Sequence, residues 1–276
     1  MRRRAVNCGR SIWKRRRGDA GMLTVLRSHV GKVRQVNEDQ AWSGALADGW
    51  TAAIVADGMG GHRAGDVASS LAVDSLVQSL QAWGHTASAA DAATKLSGIV
   101  KQANKVVFDT ASLNDRYHNM GTTVVMALIR EDAALLGHIG DSRAYRLRGG
   151  QLELLTEDHT LVNELTKSGQ LTPQEAAHHP RRNVLTRALG TDREVDADVQ
   201  LIDWQNGDVM LLCSDGLSGL VEDSEVQAAL ERPGTGLEQR ADELIELALA
   251  AGGDDNITVV LVADDGRAYA AGGDTA

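Results

Sequence analysis

The amino-acid sequence predicts an α+β fold with antiparallel sheet, and three observations carry that expectation. Two apolar segments, Thr123 to Ile129 and Ala133 to Ile139, are separated by little more than Glu131-Asp132, and a second pair spans Ala144 to Leu155 around Gly149-Gly150. Short turn-forming gaps between strand-like runs are the mark of hairpins. Upstream, apolar residues recur at helical spacing at Val73, Leu76, Val77, Leu80 and Trp83, and again at Leu96, Val100, Ala103 and Val107, which predicts two long amphipathic helices. Downstream, strand-like runs at Val209 to Cys213 and Ile257 to Val262 enclose a helical pattern at Leu237, Ala241, Leu244, Ile245 and Ala248.

The remaining elements follow in order. Residues 1–21 hold eight Arg or Lys against the single Asp19, a surplus of seven positive charges, which leaves minus seventeen on the rest of a chain whose net charge is −10. Basic residues interrupt every apolar stretch there, so the segment makes a poor signal peptide and is expected to be either a disordered extension or an over-extended start, with translation then beginning at Met22. From Val25 the pattern is strand-like, and a loop follows from Gly31 to Asp39. Thr51 to Ala56 is a nearly continuous apolar run ending in Asp57-Gly58, the pattern of a buried strand that stops at a turn. Thr160 to Asn183 is polar, carries Gly169, Pro173 and Pro180, and breaks the strand rhythm, as a surface flap would. One domain is expected over residues 22–265, the flap over 160–183 and a frayed tail over 266–276.

Composition narrows the function. With 43% hydrophobic and 24% charged residues among 276, the chain has the make-up of a globular protein, and no apolar run approaches the roughly 20 residues that span a bilayer. An acidic body repels nucleic acid and suits a cation-binding protein. Cys8 and Cys213 are the only cysteines, too few for a disulfide framework or a thiolate zinc site and consistent with a reducing cytoplasm.

Three apolar strands each run into an aspartate, at Asp57, Asp141 and Asp215, and a fourth, Asp255, immediately precedes the strand from Ile257. Singly, such residues are ordinary turn formers. Together they point to a hard-cation site with oxygen ligands, for Mg²⁺ or Mn²⁺ rather than zinc, since ionised carboxylates at the ends of buried strands are costly unless paired or metal-bound. Two such ions suit phosphomonoester hydrolysis. A cysteine phosphatase is excluded, because the sixth residue after Cys8 is Lys14 and after Cys213 is Gly219, where an arginine is required. A kinase or nucleotidase would want a lysine in the Gly-rich loop, and Gly58 to Gly61 has none.

Six ordered motifs, Arg34-Gln-Val-Asn-Glu-Asp39, Asp57-Gly-Met-Gly-Gly-His62, Gly121-Thr-Thr123, Gly140-Asp-Ser142, Ser214-Asp-Gly216 and Asp255-Asn-Ile-Thr258, resemble those of the protein phosphatase type 2C, or PPM, family. The similarity covers about Val25 to Val262 and is nearest to bacterial single-domain members that oppose Hanks-type kinases. It implies a four-layer α/β/β/α sandwich of two antiparallel sheets flanked by helices, with metals in a cleft at one end, and a serine/threonine phosphatase. It implies that Asp57 bridges two core Mn²⁺ or Mg²⁺ ions, that Gly58 lends its carbonyl, that Asp215 and Asp255 complete the first ion, and that Asp141 with Asp215 holds a third. Arg34 resembles the phosphate-binding arginine and Glu38 the residue that holds metal-bound water, with Asp39, His62, Thr122 and Asn256 in support. His62 stands four residues on from Gly58, whereas animal relatives place a general-acid histidine where Met59 stands. The resemblance further implies phosphoprotein substrates, a partner serine/threonine kinase, a monomer and a cytoplasmic location. A catalytically silent phosphoprotein sensor would have lost these ligands, and Asp57, Asp215 and Asp255 are all present.

Overall fold

A computed structural model of the chain describes residues 16–17, 22–60, 64–84, 89–131 and 133–264. In chain order the elements are β1 (Arg16–Arg17), β2 (Met22–His29), β3 (Asp39–Ala45), β4 (Thr51–Met59), α1 (Ala64–Gln81), α2 (Ala89–Leu113), β5 (Gly121–Thr122), β6 (Val124–Arg130), β7 (Ala133–Ile139), β8 (Arg143–Arg148) and β9 (Gln151–Leu154). There follow α3 (Leu161–Lys167), α4 (Pro173–Ala177), β10 (Asp198–Ile202), β11 (Val209–Cys213), α5 (Asp215–Ser218), α6 (Asp223–Glu231), α7 (Leu237–Ala250) and β12 (Ile257–Asp264). One antiparallel sheet runs β1-β2-β12-β11-β8-β9 and the other β10-β7-β6-β4-β3, with β5 attached to β4.

Continuous apolar runs become central strands because both of their faces are buried, and successive side chains point to opposite faces. In β4, Ala53 and Val55 join Val125, Met210, Leu212 and Val260 between the sheets. The alternating Ala52, Ile54 and Ala56 pack beneath Leu76, Leu80 and Leu96 of α1 and α2. On the far side Leu211, Cys213, Val259 and Leu261 pack beneath Val226 of α6 and Leu244 and Ala248 of α7. The layers are therefore α/β/β/α, as the family resemblance implied. Both hairpins form, with Val124 opposite Ile139 in β6–β7 and Arg148 opposite Gln151 in β8–β9.

Several details differ from expectation. β4 does not stop before Asp57 but runs on to Met59, because Asp57 pairs with Asp39 of β3 and Gly58 with Thr122 of β5. Ladder partners on both sides hold the turn-forming Asp-Gly extended. β10 carries little apolar signal, since it is an edge strand whose Leu201 is exposed. Helices α5 and α6, ahead of α7, are too short for periodicity to reveal. Residues 160–183 hold the capped helices α3 and α4, neither with a buried residue. Within the N-terminal extension Arg16–Arg17 pair with Leu23–Thr24, so that dipeptide extends the sheet edge; residues 1–15 and 18–21, the tail from 265, and His62 lie outside the described residues. Among the described residues no helix is long and apolar enough to cross a membrane.

Candidate metal centre and active site

The aspartates meet because the strands that carry them end at the same edge of the sandwich. Asp57 lies near the end of β4, Asp141 in the turn between β7 and β8, Asp215 at the start of α5 just after β11, and Asp255 just before β12. Asp39 opens β3 directly across from Asp57. Two glycines permit the approach. A Cβ on Gly216 would lie 1.9 Å from the Asn256 carbonyl oxygen, and one on Gly58 would lie 2.1 Å from the Gly65 oxygen. Any side chain at either position would push Asp215 from Asp255 or α1 from β4.

Neutral hydroxyls and one amide hold the carboxylate-bearing backbone. The Asp57 N–H donates to Thr123 Oγ1 (3.0 Å), and the Asp57 carbonyl accepts from Thr122 Oγ1 (2.9 Å) and from the Thr123 N–H (2.9 Å). Thr123 Oγ1 also meets Ser142 Oγ at 2.7 Å, linking the Asp57 strand to the Asp141 turn. Ser214 Oγ donates to Asp39 Oδ2 (2.8 Å) and accepts from the Thr258 N–H (3.0 Å). Asn256 pins the loop that carries Arg34 and Glu38: its Oδ1 accepts from the Glu38 N–H (2.7 Å), and its Nδ2 donates to the carbonyls of Val30 (2.9 Å) and Val36 (3.0 Å).

Burial and mutual repulsion both oppose ionisation here. Burial, then Asp39, Asp215, Asp141 and Asp255, drives the Asp57 carboxyl well above the ordinary range. Burial pushes Asp39 and Asp141 each up to about 7, with Asp215 adding to both. Burial and Asp255 raise Asp215, while a hydrogen bond with Asp57 and the charge of Arg34 work against the rise. Burial also raises Glu38, more than Arg34 lowers it. So dense a set of carboxyls needs protons or cations. The donor set fits hard divalent cations, since every candidate ligand is an oxygen. Asp39 Oδ1 is buried without a hydrogen-bond partner among the described residues, leaving a lone pair that a positive charge would satisfy.

Arg34 is not free at the rim: its Nη2 donates to Asp255 Oδ2 at 2.7 Å, with half of its side chain exposed. The family resemblance implies separate partners for these two residues, phosphate and metal, and here they engage each other. From Asp141 and Asp215 a cleft of about 450 Å³ opens towards the flap, lined there by Thr160, Asn163, Ala176 and Arg182.

Known proteins share this fold. Residues 27–264 match the model of the protein phosphatase 2C family. This chain belongs to that family. The serine/threonine phosphatase stp of Listeria monocytogenes is 40% identical over 247 residues, 88% of this chain and 96% of the relative. The crystal structure of the Mycobacterium tuberculosis serine/threonine phosphatase PstP/Ppp superposes with a TM-score of 0.80 at 38% identity, covering 89% of this chain and 99% of that one. A PstP catalytic domain in complex with two manganese ions gives a TM-score of 0.77 at 37% identity, covering 88% and 97%.

In this family member the four aspartates, Gly58, Glu38, Asp39, Thr122 and Asn256 come together, with Arg34 at the rim. Sequence reasoning gave no role to Ser142, Ser214 or Ser69, whose Oγ donates to the Glu38 carbonyl at 2.6 Å. Ser142 and Ser214 flank motif aspartates, which is the one signal that could have singled them out. Nor does the sequence point to Asp158, which takes both Arg143 Nε (2.9 Å) and Nη2 (2.7 Å). Among the described residues, the trio of ligand-type side chains whose atoms all lie within 4.8 Å of one another is elsewhere, at His138, His159 and Asp198.

Proposed function

We infer that this protein is a metal-dependent protein serine/threonine phosphatase that removes phosphate from phosphoserine and phosphothreonine in phosphoproteins. The observation that carries the inference is the convergence of Asp57, Asp141, Asp215 and Asp255 on one edge of a 2C-family sandwich. Asp57, Gly58 through its carbonyl, Asp215 and Asp255 would hold two core ions, Mn²⁺ or Mg²⁺, and Asp141 with Asp215 a third. When bound, the cations acidify a water and withdraw charge from phosphoryl oxygens.

The chain's own groups supply the rest. Arg34 offers a planar fork to two phosphate oxygens. Its pair with Asp255 is half-exposed and therefore worth at most about 1 kcal/mol, so a phosphate exchanges for that carboxylate at little cost and frees Asp255 for a cation. Glu38, fixed through its backbone by Asn256, would accept a hydrogen bond from a water held beside Asp255. Thr122 and Thr123 hold Asp57 in line, and Asp39 lends negative charge behind it. The cleft beside the flap accommodates residues flanking the phosphorylated side chain, and Arg182 there favours acidic neighbours. The small set of cysteines and the family resemblance support a cytoplasmic monomer that opposes a Hanks-type kinase.

The test is hydrolysis of p-nitrophenyl phosphate and of phosphothreonine and phosphotyrosine peptides, with Mn²⁺, with Mg²⁺ and with EDTA. Turnover of the phosphothreonine peptide that needs added cation supports the assignment. Full turnover in excess EDTA, or preference for phosphotyrosine, overturns it.

A further inference from the structure

Asp141 sits in the three-residue turn, 140–142, between β7 and β8, and consecutive residues of a separate segment grip Gly140 at its start and Arg143 just beyond its end. At one end the Gly140 N–H donates to His159 Nδ1 (3.1 Å), while the His159 N–H donates back to the Gly140 carbonyl (2.9 Å). Gly140 is held in a left-handed conformation, φ +106°. At the other end Asp158 takes Arg143 in a two-point ion pair.

His159 is itself fixed. Its side chain is almost fully buried, its ring stacks on His138 with centroids 4.6 Å apart, and its Nε2 faces Asp198 Oδ2 at 3.2 Å. Asp198 lies directly across the β10–β7 ladder from His138, and Arg187 Nη1 donates to its Oδ1 (2.8 Å).

These bonds decide what the His138–His159–Asp198 trio can do. A backbone N–H can only donate, so Nδ1 of His159 carries a lone pair and the ring's proton is on Nε2, pointing at Asp198. Burial, His138 and Arg187 push the His159 pKa down to about 4, which keeps the ring neutral. A cation on Nε2 would require the imidazolate while Nδ1 keeps its bond to Gly140. The trio is therefore not a metal site but a hydrogen-bonded brace.

We propose that His159 is a positioning residue for Asp141: its Nδ1 fixes the Gly140–Asp141 turn, its tautomer is set by Asp198, and Asp198 is oriented by Arg187. Residues that orient a ligand-bearing group govern cation affinity without touching the ion. The proposal rests on the assignment of a third cation to Asp141. The brace should therefore act on that ion and leave the pair at Asp57, Asp215 and Asp255 undisturbed.

The experiment is a calorimetric titration of Mn²⁺ into the chelator-stripped full chain, beside kcat, KM and Tm, for wild type and four variants. Asp141→Ala defines the loss of the weak binding class. His159→Phe keeps the ring but loses both hydrogen bonds, and should weaken that class and lower kcat by roughly tenfold or more, with KM changed less than about twofold and tight binding intact, as for an interaction made mainly in the transition state. His159→Asn places an acceptor near the Nδ1 position and should recover most of the loss. Asp198→Ala alters a half-exposed side chain, so Tm should change little, and it should reproduce part of the defect, up to roughly tenfold. An unaltered weak class and kcat in Asp198→Ala and His159→Phe would overturn the brace while leaving the third cation in place. Equal loss of tight and weak binding in His159→Phe and His159→Asn would reduce His159 to a packing residue. A weak class that persists in Asp141→Ala would overturn both the cation assignment and the brace built on it.

Discussion

Asp39 and Asp57 occupy directly opposed positions in the β3–β4 ladder, so two carboxyl-bearing residues meet at a buried end of the strands. Like charges directly opposite in a sheet destabilise it by up to about 1 kcal/mol, and burial adds to that cost. The site is thus a place where stability is given up for cation binding. Asp57→Asn should raise the Tm of the EDTA-treated protein by roughly 2–4 °C, taking about 1 kcal/mol gained for a domain of this size, and should remove nearly all Mn²⁺-dependent turnover. Thermal melts in EDTA beside phosphatase assays check both halves; a lower Tm in EDTA would show that the Asp57 carboxyl is held by favourable bonds instead.

The stabilising effect of Mn²⁺ should grow with pH. Asp39 and Asp141 titrate at about 7 in the folded, cation-free protein against an ordinary 3.8. Between those values the folded state binds more protons than the unfolded one, so these two groups make stability fall as pH rises through the window. Cations displace those protons, and ligand binding stabilises by mass action. The difference in Tm between Mn²⁺-saturated and EDTA-treated protein should widen steadily from pH 5 to pH 7.5. A constant difference would mean that these carboxyls are ionised throughout.

Asn256 is expected to matter more than any single ligand for the loop before β3. Asn256→Ala removes three hydrogen bonds, to Glu38, Val30 and Val36. At about 1 kcal/mol each the loss should come to roughly 2–4 kcal/mol, a drop of roughly 5–15 °C in Tm. Because the loop carries Arg34, KM for a phosphopeptide should rise as well. Unchanged KM with lowered Tm would separate the loop's order from phosphate binding.

Gly216→Ala should damage catalysis out of proportion to its size. Its Cβ would meet the Asn256 carbonyl oxygen at 1.9 Å, and a backbone oxygen cannot step aside alone. Separation of Asp215 from Asp255 by even about 1 Å should cost on the order of a hundredfold in kcat/KM. Steady-state kinetics at saturating Mn²⁺ would show it, and near-normal activity would mean that the α5–β12 approach is soft.

Removing residues 1–21 should leave turnover unchanged. The described part of that segment, Arg16–Arg17, forms a two-residue pairing with β2, far less than the sheet's central ladders. A fall of more than a few degrees in Tm would show that the basic segment packs on the body.

Much was legible in the sequence because the features that matter are short and local. Apolar runs both faces of which are buried, such as Ile54–Ala56 and Leu211–Cys213, stand out without an alignment, and so do aspartates placed at their ends. Those residues, with the ordered motifs from Arg34 to Thr258, determined the family, the sandwich and the candidate ligands. Only the tertiary structure decided who holds the ligands in place. That Ser214 bonds Asp39, that Asn256 ties down a loop more than 200 residues earlier in the chain, and that Asp158-His159 grips the Asp141 turn are contacts between segments remote in sequence. The physical reason is that hydrogen bonds are short-ranged and directional. A serine or histidine acquires its role from whichever group the fold brings within about 3 Å of it, and no pattern along the chain encodes that meeting. The edge strand β10 was hidden for a related reason. Three of its five residues are exposed, so its partner β7, and not its own apolar content, makes it a strand; and in that strand Asp198 comes to stand opposite His138.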